Sequence, residues 1–133
     1  VGMIHCQLGA GMIRSASYNL RTLFEQHPEL IATRYDARLL PNAKRLQWAR
    51  GEIEKILNRS TQPEPALLLA YLGYQIHNAL LTSWALDLAD ARSPLDPLVV
   101  LLRRIWLDVN EKPKPPPPSP FRLRPLTRTQ PVP

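Results

Sequence analysis

Six residues able to grip a polyanion recur along one stretch of the chain: Arg34, Arg38, Arg45, Trp48, Lys55 and Arg59. Their successive steps are four, seven, three, seven and four residues, which on a helix keeps them on one flank. Lys44 joins that flank, Glu52 interrupts it, and Arg50 lies across the neighbouring apolar stripe. If the whole stretch is helical, the 25 residues from Arg34 to Arg59 make a cationic rod about 37 Å long. The major groove of an A-form duplex is too narrow and deep for side chains to read. A helix lying across its outside would therefore meet phosphates and 2′-hydroxyls, and would sense shape rather than sequence. Trp48, off the core stripe, belongs either at an interface or stacked under an arginine. The bland alternative is a solvated polar face bordering a core stripe.

The elements that must position these residues read as helical. Residues 3–12 are short, small and unpatterned, and Val1-Gly2 before Met3 read as an appended scar outside the fold. From Ile13 a stripe of Ile13, Ala16, Leu20, Leu23 and Phe24 predicts a helix that His27-Pro28 ends. Pro28 suits the first position of a second helix. Its apolar stripe keeps phase through positions 35, 39, 42, 46, 49, 53 and 56. That phase favours one helix over 28–58, kinked at Pro41, above two helices broken there, although an internal proline costs about 3 kcal/mol. A loop over 58–65 follows. Residues 66–91 then predict a third helix, uncharged from Ala66 to Leu86, and residues 98–109 a fourth, with Asp96 as N-cap and Pro97 in its first turn.

The uncharged helix is long enough to cross a membrane. The polar strip of Gln75, His77, Asn78, Thr82 and Ser83 argues instead for burial between helices or within a dimer. A membrane anchor at 66–86 stays open as the less favoured reading. Residues 111–133 hold nine of the 15 prolines and five cations against Glu111. They predict a disordered, extended basic tail, suited to an aromatic-lined partner groove or to added non-specific affinity for RNA. The expected fold class is thus all-α: a small helical bundle over 13–110, with a tail over 111–133.

Bulk composition narrows the classes. Basic residues exceed acidic ones by six and the pI is near 10, which favours an acidic partner. Four of those six charges lie in the tail, so local patterning must carry the case for the folded part. A single cysteine, Cys6, forbids an internal disulfide framework and points to a reducing compartment. No signal-peptide pattern opens the chain. His5, His27 and His77 have no metal-ligand spacing. No paired carboxylates, glycine-rich phosphate loop or Ser-His-Asp context calls for catalysis or a cofactor. Arginine far outnumbers lysine, and Leu and Pro are abundant. That bias fits a reading frame overlapping another gene, as in compact viral genomes, or a GC-rich host.

The run PELIATRYDARLLPNAKRLQWARGEIEKIL over 28–57, followed by PALLLAYL over 65–72, resembles the small RNA-silencing suppressor encoded by the subgenomic RNA of nodaviruses. The shared features are a proline-started long helix, Asn42, the Lys44-Arg45 pair, Leu46 and Arg50, a hydrophobic close, and the Pro-to-Ala-Tyr-Leu segment. The resemblance covers about a third of the chain. It implies an all-helical homodimer in the host cytoplasm, with long helices forming an antiparallel bundle along A-form RNA. It implies sequence-independent binding of double-stranded and short interfering RNA, shielding them from dicing and loading. Asn42, Lys44, Arg45 and Arg50 would be the RNA-contacting positions. The wheel sets Arg50 apart from the other cations, but in an antiparallel dimer both flanks of one helix could reach the same duplex.

Overall fold

The computed structural model of the protein describes residues 1–108. The proposed tail, 111–133, and the end of the predicted fourth helix lie outside the described residues. Among the described residues every regular element is helical: α1 (Gly2–Ala10), α2 (Ile13–Gln26), α3 (Ala43–Arg59), α4 (Glu64–Gln75), α5 (Ala79–Arg92) and α6 (Pro97–Arg103). A wider π-type turn, Arg104–Asp108, continues α6. The described residues adopt the expected all-α class.

The centre is α4, in which every residue from Glu64 to Gln75 is buried. From Ala66 onward the run is uncharged, and it can be covered on all sides only if other helices surround it. Helix α2 supplies Ile13, Ala16, Leu20 and Phe24, and α3 supplies Ala49, Ile53 and Leu57. Helix α5 supplies Leu81, Ala85, Leu86 and Ala89, and α6 supplies Leu98, Val99 and Leu102. Trp106 is fully buried among Phe24, Tyr71 and Tyr74, and its indole N–H donates to Ile31 O at 2.8 Å. At the polar end of α4, Arg21 lies 2.9 Å from Glu64 and 2.6 Å from Asp96, joining α2 to the starts of α4 and α6. Asp96 also caps α6, accepting from Leu98 N–H at 3.0 Å, as expected of the Asp96-Pro97 pair.

Three expectations need correction. Residues 3–12 are not unpatterned: Ile4, His5 and Leu8 face the core from a helix that includes Gly2, and Val1 O accepts from His5 N–H at 3.0 Å. Small residues and two glycines hid that i, i+4 pair. Gly11 (φ 82°) ends the helix in the left-handed region that favours glycine.

The helix expected over 28–58 is broken rather than kinked. Pro28–Leu30 and Ala37–Leu39 are single 3₁₀ turns, and α3 begins only at Ala43. Leu40 is extended, as a residue before proline prefers, and the Asp36 and Asn42 side chains cap the short turn and α3. The backbone between is spoken for: Tyr35 N–H donates to Gln75, Thr33 O accepts from Gln75, and Ala32 O accepts from Tyr74. The apolar phase kept across Pro41 is therefore accidental; Leu39 is 62% exposed.

The 66–91 run is also two helices. His77 has φ 60°, and Asn78 turns the chain and caps α5 by accepting from Leu81 N–H at 3.0 Å. Gln75, His77 and Asn78 thus belong to a corner, not to a polar strip on one helix. Consequently no described helix is long and apolar enough to cross a membrane, and 66–86 does not form a span. The corner closes tightly. A Cβ on Gly73 would lie 2.7 Å from Thr82 Oγ1 and 2.9 Å from Thr82 N.

His5 ties α1 to this core. Its Nδ1–H donates to Leu39 O at 2.9 Å, which leaves Nε2 to accept from the Tyr71 hydroxyl at 2.7 Å. Burial lowers the His5 pKa, outweighing the hydrogen bond to Leu39, and burial raises that of Tyr71.

Gly73→Ala is expected to lower stability by about 1–3 kcal/mol through overpacking at Thr82, read from the urea midpoint. Neutral His5 gives the second expectation. Its contribution is complete above the ordinary imidazole pKa of about 6.5 and is lost as pH falls below it toward the lowered folded value. The loss of stability between about pH 7.5 and 5.5 should therefore shrink in His5→Gln.

Candidate nucleic-acid interface

Helix α3 is the element that carries the cations, and its two ends are fixed. At its start Asn42 Oδ1 accepts from Arg45 N–H at 2.9 Å. At its finish Arg92 donates to Leu57 O at 2.6 Å and to Gln62 O at 3.2 Å, satisfying carbonyls of the last turn and the loop after it. With Ala49, Ile53 and Leu57 turned inward, the outermost line of α3 is Lys44, Trp48, Gly51, Lys55 and Arg59. This line is about 22 Å long at 1.5 Å per residue. Its middle is bare: a Cβ on Gly51 would meet nothing within 4 Å. Lys44 and Arg59 make no ion pair among the described residues; Lys55 pairs with Glu52 at 3.0 Å.

The structure separates the sequence-predicted residues into groups. Lys44, Trp48, Lys55 and Arg59 share the outer line, flanked by Arg45. Arg45 is exposed but engaged: its Nε–H donates to Gly9 O at the end of α1, and its guanidinium stacks 3.9 Å from the Trp48 ring centroid. Trp48, 40% exposed, lies against Gly11, where a Cβ would come within 2.6 Å of the ring. Of the two roles open to Trp48, stacking under an arginine is the one observed. Asn42 spends its side-chain oxygen on the cap.

Arg34 and Arg38 do not belong to this face, because the chain before Pro41 is not part of the helix. Arg34 Nε–H donates to Tyr74 O at 2.8 Å and its guanidinium sits 4.0 Å from the Tyr74 ring centroid. Arg38 pairs locally with Asp36 at 3.1 Å. The expected rod of about 37 Å is shortened accordingly. Arg50 lies on the opposite edge of α3, paired with Glu54 at 3.3 Å, where it lines clefts shared with Leu72, Ile76 and Trp84.

Sequence periodicity missed Arg14. It sits in the first turn of α2 and lines a shallow cleft with Gly11, Met12 and Ile56, which adds an exposed cation beside the α3 face. Nothing in a single-helix wheel could have found it, since it reaches the face from another element.

Comparison with known protein families, characterised proteins and solved structures finds no match to this chain.

Gly51→Ala is expected to stabilise the protein by up to about 1 kcal/mol, the helix-propensity difference at an unobstructed site, seen as a raised thermal midpoint. An unchanged or lowered midpoint would contradict the open geometry at this position.

Proposed function

We propose that the outer face of α3 binds double-stranded RNA through its sugar-phosphate backbone, without reading sequence. Covering the duplex would shield viral double-stranded and short interfering RNA from dicing and from loading, and so suppress host RNA silencing in the cytoplasm. The observation that carries the binding half is the line of exposed Lys44, Lys55 and Arg59, with open space over Gly51 between them, opposite the buried side of a well-anchored helix. Cations spaced along a rigid helix with a bare centre suit a close approach to phosphates and 2′-hydroxyls. The resemblance of residues 28–57 and 65–72 to nodaviral silencing suppressors supports the second half.

The homodimer belongs to the same proposal. One α3 face is shorter than the rod anticipated from sequence, and a second copy laid alongside would extend the footprint along the duplex. Arg50, on the opposite edge of α3, contributes to RNA binding only if such pairing brings that edge to the duplex.

Titration against a short RNA duplex, the same-sequence DNA duplex and a single strand, each at two salt concentrations, tests the proposal. Tight, sequence-independent binding to duplex RNA is expected, with protection of that duplex from dicing. Reversing Lys44, Lys55 and Arg59 together to Glu should make the log–log salt slope shallower by about 2–3. Arg104→Glu, which changes an exposed cation elsewhere, should leave duplex affinity within about twofold. Equal binding to all three nucleic acids, or equal loss in the Arg104 variant, would reduce the effect to general basicity.

A further inference from the structure

We propose that the face of α5 formed by Leu80 and Trp84 is the docking surface for the chain's own C-terminal segment, residues 112–124. Leu80 is 84% exposed and Trp84, one turn on, 53% exposed. Half-exposed Ile76 adjoins them at the α4–α5 corner. A cleft of about 350 Å³ at the edge of this patch is lined by Arg50, Glu54, Asn78, Leu80, Leu81 and Trp84. Contiguous apolar surface of this kind, with an aromatic at its centre, marks a contact site.

The occupant follows from where the described chain ends. Helices α5 and α6 form a hairpin through the turn at 93–96, and Arg103 Nη2 reaches Asp87 Oδ1 at 2.7 Å. The chain therefore runs back along α5, from its finish toward its start. Trp106 then stacks on Tyr74, ring centroids 5.1 Å apart, which places it at the end of α4 beside the corner that precedes Leu80. The described residues finish at Asp108, two positions later, and 25 residues follow. At about 3.1 Å per residue an extended proline-rich segment covers a helix face of this size within a few residues.

The chemistry of that segment matches the surface. Lys112-Pro-Lys-Pro-Pro-Pro-Pro-Ser-Pro-Phe-Arg-Leu-Arg124 is the type of sequence that docks extended on exposed aromatic rings, with prolines against the ring and cations at either side. Glu54 lines the cleft beside Leu80 and Trp84, and Asp87 and Asp90 are exposed on α5. Glu54 and Asp87 already pair with Arg50 and Arg103, whereas Asp90 has no ion-pair partner among the described residues. Because the segment is tethered next to the surface, its effective concentration there is high, and weak contacts suffice.

The test uses the full chain carrying Cys6→Ser and Thr127→Cys, with a nitroxide on the new thiol and isotope labelling for amide spectra. The amide signals of Leu80, Trp84 and Asp87 should lose most of their intensity relative to the reduced label, while those of α1 persist. Trp84→Ala, a change at an exposed site, should restore the α5 signals. Uniform intensity across α1 and α5 would overturn the proposal. So would selective broadening of α5 when an unlabelled-isotope, spin-labelled chain is mixed with an isotope-labelled chain lacking the nitroxide, since that would assign the patch to a second copy.

Discussion

Burial of α4 on every side is the constraint from which the rest of the structure follows. An isolated helix of twelve residues would be marginal in water, and this one carries almost no polar surface to solvate. It persists because α2, α3 and α5 pack against it, while His5 of α1 bonds Tyr71 and Trp106, beyond α6, stacks on Tyr74. Its ends hold the polar chemistry that determines the arrangement. Arg21 gathers Glu64 and Asp96 at one end, while Tyr74 and Gln75 hold residues 32–35 at the other. Between those ends α4 carries no charge, so the partners that cover its middle are set by shape.

Charged residues consequently divide between two tasks. Arg21, Arg34 and Arg92 hold elements together, bonding carboxylates or backbone carbonyls with much of their side chains covered. Lys44, Lys55 and Arg59 point away from the core on an anchored helix. Arg45 stands between: it is exposed, yet it satisfies a carbonyl at the end of α1 and covers Trp48. Charge alone does not separate these roles, since all are cations in similar local sequence. The folded part is close to balanced in sign, so any polyanion must meet a local array rather than a general field.

Much of the fold was legible in the sequence, for reasons visible at particular residues. The Ile13–Phe24 stripe, the His27-Pro28 stop and the Asp96-Pro97 start are local signals, and each acts within a turn or two. The inward side of α3, from Leu46 to Leu57, was equally plain. Pro41 and Asn78 misled for opposite reasons. Around Pro41 an accidental apolar phase outweighed a correct local breaker. At Asn78 a capping residue, preceded by a left-handed histidine, looks in sequence like polar decoration on a continuous apolar run. The candidate site suffered from the first error. Arg34 and Arg38 precede the helix that their spacing implies, whereas Lys44, Trp48, Lys55 and Arg59 lie on it as their spacing implies. Arg14 and the Leu80–Trp84 face required tertiary structure, because each depends on which neighbour lies alongside.

The most direct measurement is a map of the amide and side-chain signals that move when a short RNA duplex is added to the protein. The account requires the shifts to centre on Lys44, Trp48, Gly51, Lys55 and Arg59, to extend to Arg14, and to spare Arg34 at the end of α4. Shifts centred instead on α5 and α6, with the α3 face unmoved at saturation, would contradict it.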